Sequence, residues 1–301
     1  MRNILLGLAA VAALALWGCK SSTEPVEDEI SVLQEMIASD AFFTSDQAMF
    51  SDADQVSLGK TTVPILPAAW GRRVDSVSRS VSFVRFGDTV VVATINVTMT
   101  GQIKIAAKDS AQDTTITIVS KPFTETMTRN VRFYRIARTD RPRDNWRFRE
   151  VSGVEGGTTN SQITFDQLVA IVGTDTLTIT DPTEFYLRFP AFAGRQLPSV
   201  GGTATIKVQL TLMSTESDTD MVFLHRPFQW MNSSVLRPAR ARMTLVSQTG
   251  SGPYTRVYEY SWTGHIQGRH HFFVSGITRN SLFDDAAPWS TRLWGIPYLV
   301  P

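Results

Sequence analysis

The stretch VDSVSRSVSFVRFGDTVVVATINVTMTGQIKI, residues 74–105, decides the fold class. Two β-branched runs, Val74–Phe86 and Thr89–Ile105, flank Gly87-Asp88, and such a pair between two such runs is a hairpin signal. Outward toward the C-terminus, Lys108–Asp113 is polar and turn-like, and Thr114–Ser120 and Thr124–Arg138 resume the strand pattern. Arg141-Pro142-Arg143-Asp144 then turns the chain and Trp146–Ser152 closes an antiparallel meander. Outward toward the N-terminus, residues 27–39 predict a helix. Asp28 and Glu29 suit its positive end, and Ile30, Leu33 and Ile37, with Met36 beside them, form one apolar stripe. A second short helix is expected over Asp40–Phe50, packing through Phe42, Phe43 and Phe50. Two helices followed by four or five long strands predict an α+β unit over 27–153.

Four segments in order, Trp70-Gly71-Arg72-Arg73, Phe86-Gly87-Asp88-Thr89, Lys121-Pro122-Phe123 and Trp146-Arg147-Phe148-Arg149-Glu150-Val151-Ser152-Gly153, resemble NTF2-like (cystatin-like) proteins. The resemblance implies an α+β cone, a helix packed into a strongly curved sheet. Its mouth can hold small-molecule isomerases and dehydratases that work through Asp, His or Tyr. Residues 20–155 contain no histidine and one tyrosine, Tyr134, while Asp75, Asp88 and Asp113 stand in polar, turn-like contexts. General acid–base chemistry needs groups tuned apart by their surroundings, and no such pair is legible. The expectation is a non-enzymatic module with no catalytic residue and no cofactor.

Gly153 to Ser161, with two adjacent glycines among small polar residues, reads as a linker, placing the boundary at 154–161. Beyond it strands are expected at Phe165–Val172, Thr176–Ile179, Phe185–Phe189, Thr203–Met213, Met221–Leu224, Arg240–Gln248, Tyr254–Trp262 and His270–Ile277. In Thr203–Met213, Ala204, Ile206, Val208, Leu210 and Leu212 alternate with Thr205, Lys207, Gln209 and Thr211, one buried face and one wet face. Gly250-Ser251-Gly252-Pro253 is a hairpin turn. The pattern predicts an all-β, immunoglobulin-like sandwich over 162–301.

The N-terminus addresses the chain. Arg2, an apolar run from Ile4 to Leu16 and then Leu16-Trp17-Gly18-Cys19 follow the charge–apolar–small order of a secretory signal over residues 1–18. Leu16, Gly18 and Cys19 resemble a bacterial lipobox, with Trp17 where a small or aliphatic residue is usual. The resemblance implies lipidation of Cys19 and a membrane anchor, with 19–26 as a short tether. An ordinary secretory signal is the plainer alternative, but it leaves a lone thiol in an oxidising compartment. Lys20 after the cysteine implies, by the same resemblance, an outer membrane. The tail from Phe283 to Tyr298 resembles envelope lipoproteins of Bacteroidetes-like bacteria. Cys19 is the only cysteine, so the remaining chain has no disulfide, no thiolate metal site and no cysteine nucleophile.

Charge is split along the chain. Residues 20–54 hold one basic residue against nine acids, and 60–155 hold sixteen against nine. An acidic helical segment against a basic sheet is the simplest use of that split. Arg129, Arg132, Arg135 and Arg138, continued by Arg141, Arg143, Arg147 and Arg149, are a candidate anion-binding run. Internal pairing is the plainer reading, and nucleic acid is not expected outside the cytoplasm. Trp230, Trp262, Trp289 and Trp294 are candidates for a glycan-stacking platform. Trp262 reads as core, and Trp289 and Trp294, flanking proline turns, are the candidate glycan-stacking residues if exposed. Packing of the C-terminal tail over the sheet is the plainer reading. His225, His265, His270 and His271 lack metal-ligand spacing, and adjacent His270 and His271 on a strand point to opposite faces, so no metal is expected. Asp284-Asp285 reads as an Asx-type turn. The functional expectation is a lipid-anchored envelope module binding a protein or glycan partner. The alternative is a small-ligand carrier or enzyme using the cone cavity.

Overall fold

In the computed structural model, which describes residues 29–40, 53–54, 64–110, 112, 114–188, 203–229, 236–263 and 267–300, a helix and a two-residue strand precede three very long strands. These are α1 (Glu29–Ser39), β1 (Ala53–Asp54), β2 (Leu66–Phe86), β3 (Val90–Lys108) and β4 (Thr117–Arg135). Gly87, at φ 59, turns β2 into β3, a backbone that side chains with a Cβ disfavour. One face of the meander is turned inward, and on β3 it is apolar throughout. On β3, Val91, Ala93, Ile95, Met99, Gly101, Ile103, Ile105 and Ala107 are buried while the residues between them stay half-exposed. Helix α1 covers one end of that face through Leu33 and Ile37, packed on Val91, Ala93, Val131 and Phe133. Glu29 in its first turn accepts bonds from Arg85 at 2.6 Å and Arg135 at 2.8 Å, so the acidic helix does meet the basic sheet.

The chain continues through α2 (Pro142–Asn145), β5 (Trp146–Ser152), β6 (Val154–Thr158), β7 (Ile163–Val172), β8 (Asp175–Ile179), a 3-10 turn at Pro182–Glu184 and β9 (Tyr186–Arg188). It ends with β10 (Ile206–Ser214), β11 (Met221–Gln229), β12 (Leu236–Arg242), β13 (Thr244–Thr249), β14 (Tyr254–Trp262), β15 (Gly268–Ile277), α3 (Arg279–Phe283) and β16 (Thr291–Val300). All pairings are antiparallel. One sheet runs β1-β2-β3-β4-β6-β16-β15-β11-β12, with β5 and β9 branching from β4, and a second runs β13-β14-β10-β7-β8. The signal and Cys19 at 1–19, the tether to Val26 and the helix expected beyond Asp40 lie outside the described residues. So do Trp230 and His265.

The α+β NTF2-like cone is not what forms. Among the described residues α1 is the one helix longer than five residues, and the molecule is mostly antiparallel β in two sheets. The reason lies in what covers the long meander beyond α1. Trp70, Met99, Ile103 and Phe123 pack against Met221, Phe223, Phe273 and Leu293 from the second half. The sheet curls until β2 meets β11 and β12: Trp70 and Phe223 rings lie 6.2 Å apart, and the Arg240 guanidinium sits 4.2 Å from the Trp70 ring centre. Strands from the far end of the sheet fill the space that helices fill in a cone.

The expected linker is a strand. Residues Glu125–Thr128 of β4 pair with β6 on one side, and Arg292–Gly295 of β16 pair with it on the other. Its glycines serve close approach. A Cβ at Gly156 would stand 2.6 Å from the Thr126 carbonyl oxygen. At Gly157, where φ is +138°, it would stand 2.3 Å from that of Thr291.

The second half carries a β-sandwich-like core, as its alternation predicts. Leu168, Ile206, Val208 and Leu210 of the five-stranded sheet face Val222, Leu224, Phe272, Val274, Trp294 and Ile296. The alternate residues of β11, β15 and β16 face the long meander, so these strands are buried on both sides. That double burial is why every residue of 270–277 is buried, where a half-buried strand would alternate.

Candidate functional site

A spacing of three along a strand flips the face at each step, so the arginine run cannot form one patch. Arg129 points inward and is buried, its Nη1 3.5 Å from His271 Nε2. Burial brings its pKa down to about 9, which leaves it a cation at neutral pH. Arg132 points outward, bonds Glu150 at 3.2 Å and lies 3.7 Å from the centre of the Tyr186 ring. Arg135 turns inward again, to Glu29 and the Trp146 ring at 4.8 Å. Arg138, past the end of β4, is exposed and 3.4 Å from Asp88. The four predicted anion-binding residues are not brought together.

The interior of the curled sheet holds a polar centre that no local motif announces. Arg72 Nη2 bonds Glu125 Oε1 at 2.9 Å, and the Trp289 indole N–H donates to the same oxygen at 2.8 Å. His225 Nε2 is 2.7 Å from Ser275 Oγ. Burial, and then the charges of Arg240 and Arg72, push the pKa of His225 down to about 3. Burial, Arg129 and His270 hold His271 well below its ordinary value, so both rings are neutral at pH 7. Lys121 donates to the carbonyl oxygens of Ser281, at 2.7 Å, and Asp284, fastening the C-terminal end of α3 over the interior. This centre orients the curled strands.

The tryptophans proposed for glycan stacking are both inside. Trp289 is 5% and Trp294 2% exposed; the Trp289 ring lies tilted 5.5 Å from that of Trp70, and Trp294 meets Phe165 edge-on in the sandwich core. Strand β16, absent from the expected set, is what turns Trp294 inward. His270 packs on Tyr298 and His271 faces Arg129, on the two sides that a strand dictates. No three His, Cys, Asp or Glu side chains among the described residues are grouped to hold a metal ion. Asp284 does form the expected turn, its carboxylate accepting from the Ala286 N–H at 2.9 Å.

Where the later arginines do converge is an open groove of about 460 Å³ at the C-terminal end of α1. Met36, Phe133 and Phe148 line it with apolar surface, and Ser39, Asp40, Arg143, Arg147 and Arg269 supply its polar groups. Arg143 is paired with Glu35 at 3.0 Å and Arg269 with Asp40 at 3.3 Å. Arg147 is different. Its Nη1 donates to the carbonyl oxygens of Arg143 and Trp146, at 3.1 and 3.0 Å, and among the described residues it meets no carboxylate. A guanidinium held by backbone oxygens above an apolar floor can receive a carboxylate, sulfate or phosphate.

No known protein family, curated protein or solved structure matches this chain. The assignment therefore rests on the geometry. The contribution of Arg269 had no signal in the sequence, because it reaches the groove from more than 120 positions beyond Arg147, through the order of strands in the sheet.

Proposed function

We propose that this protein is a binding module of the cell envelope, held to a membrane by a lipid on Cys19, and that it docks an acidic group of an envelope protein or glycan in the groove beside α1. The observation that carries the reading is Arg147, a cation without a carboxylate partner among the described residues, beside a floor of Met36, Phe133 and Phe148. The tether supports it in a second way. Glu29 is ten positions beyond Cys19, and a chain of that length spans at most about 35 Å. The groove therefore works close to the surface to which a lipid would bind. By the resemblance of its N-terminal signal, that surface is an outer membrane.

The test is recovery of partners from native membranes with the lipidated protein, Cys19→Ala and Arg147→Glu. An exposed charge reversal ordinarily changes stability by no more than about 0.5 kcal/mol, so loss of binding with an unchanged thermal midpoint reports the groove. The expected result is a component recovered near one-to-one with the lipidated protein and at least tenfold less with Arg147→Glu. Equal recovery with both would contradict the groove, and equal recovery with Cys19→Ala would remove the anchor from the account.

A further inference from the structure

On a half-buried sheet the wet face ordinarily carries the charges that keep it soluble and unpaired. The middle of the β2–β4 meander inverts that arrangement. Arg79, Lys121, Glu125 and Arg129 share the inward-facing register, and the outward-facing Arg73, Lys104 and Arg132 stand toward the two ends, so the middle of the outer face carries neutral hydrogen-bonding side chains alone. Register aligns them in four rows of three: Ser76–Thr100–Thr124, Ser78–Thr98–Thr126, Ser80–Asn96–Thr128 and Ser82–Thr94–Asn130. The serines of β2, with Thr124 and Thr126, are exposed, and the rest are half-exposed. Neighbouring strands lie about 4.8 Å apart and successive rows about 6.8 Å apart, so the array covers roughly 400 Å².

Some of these groups pair across strands. Ser76 and Thr100 hydroxyls are 2.7 Å apart, Thr128 donates to Asn96 Oδ1 at 2.8 Å, and Thr94 donates to Asn130 Oδ1 at 2.9 Å. The row Ser78–Thr98–Thr126 makes no side-chain bond to the protein among the described residues. The same face runs on into two rows of another character, Val84–Val92–Arg132 and Phe86–Val90–Tyr134. Phe86 is 58% exposed, a large ring to leave in water.

From this juxtaposition of an uncharged hydroxyl array with an exposed aromatic ring on the same face, we infer that the outer face of β2–β4 binds a neutral, hydroxyl-rich polysaccharide. Charge complementarity selects the class. A nucleic acid or acidic glycan calls for cations, and the one arginine in these six rows, Arg132, is engaged by Glu150. Hydroxyls and amides both donate and accept, as sugar hydroxyls do. The ring of Phe86 offers a flat apolar surface to the apolar face of a pyranose. Each hydroxyl contact replaces one with water and gains little, so binding depends on many repeats along one polymer. This surface is separate from the groove and does not depend on it.

The test is affinity electrophoresis of the full chain through gels containing a neutral glucan, mannan, xylan or soluble chitin derivative, beside an acidic polysaccharide. The variants are Thr98→Arg, Phe86→Ala and Thr98→Ser, each checked for an unchanged thermal midpoint. Retardation by at least one neutral polymer is expected, weakened tenfold or more by Thr98→Arg and by Phe86→Ala and retained by Thr98→Ser. Three results would overturn the inference: no retardation by any neutral polymer, retardation that Thr98→Arg leaves intact, or a concentration-dependent dimer lost in Thr98→Arg, which would assign the face to a second copy. Retardation by the acidic polymer alone, abolished by Arg147→Glu, would overturn it while leaving the groove standing.

Discussion

Replacing Asp220 by alanine is expected to cost about 3–5 kcal/mol, because it strands a guanidinium deep in the protein. The Arg256 and Asp220 side chains are both fully buried and 2.5 Å apart. Every other bond that Arg256 makes stays inside the protein: Nη2 to the carbonyl oxygens of Glu216 and Ser217 at 2.7 and 2.9 Å, and Nε to Gln248 Oε1 at 2.7 Å. Asp220 in turn accepts from Ser214 Oγ at 2.9 Å, and its carbonyl oxygen takes the Tyr258 hydroxyl at 3.0 Å. The network ties the 214–220 connection to β13 and β14. Removing both charges is a milder change than removing one, since a buried pair repays its desolvation only in part. The double variant Asp220→Leu with Arg256→Met is therefore expected to regain at least half of the loss, read as urea midpoints at constant slope. A single variant no less stable than the wild type would show that the pair does not hold this connection.

Mild acid is expected to weaken the fold through the interior histidines. Their folded pKa values lie below the unfolded value of about 6.5, so the unfolded chain binds the extra protons. The sign follows: this stability is fully present above pH 6.5 and falls as the pH drops below it, for His225 until about pH 3. By pH 5 His225 alone removes about 2 kcal/mol, at about 1.4 kcal/mol per pH unit, and His271 acts in the same direction. His225→Gln is expected to lower the slope of stability against pH between 6 and 4 by close to one proton. An unchanged slope would mean that His225 is protonated in the folded protein.

Much of the local structure could be read from the chain. The apolar stripe of α1, the Gly87 turn and the alternation of 203–213 each depend on residues a few positions apart, and each forms. What could not be read depends on partners far along the chain. Gly156 and Gly157 look the same as a linker until β4 and β16 are placed beside them. Trp289 beside a proline can be read as exposed or as packed until the curl of the sheet brings Glu125 to its N–H. One misreading was avoidable. Arginines three apart on a strand alternate faces by period alone, and the serine, threonine and asparagine positions of β2, β3 and β4 recur at every second residue. Only the register, which puts those positions side by side, was beyond reach.

The groove and the hydroxyl array both lie on strands of one sheet, and the account stands on that sheet continuing through Val154–Thr158 into the second half. Calorimetry of the chain from Lys20 onward tests this directly. The account predicts a single unfolding transition whose calorimetric and van't Hoff enthalpies agree, since Trp70, Met99, Ile103 and Phe123 of the first half share one buried cluster with Met221, Phe223, Phe273 and Leu293 of the second. Two separable transitions, each reproduced by an isolated half cut between residues 153 and 162, would contradict it.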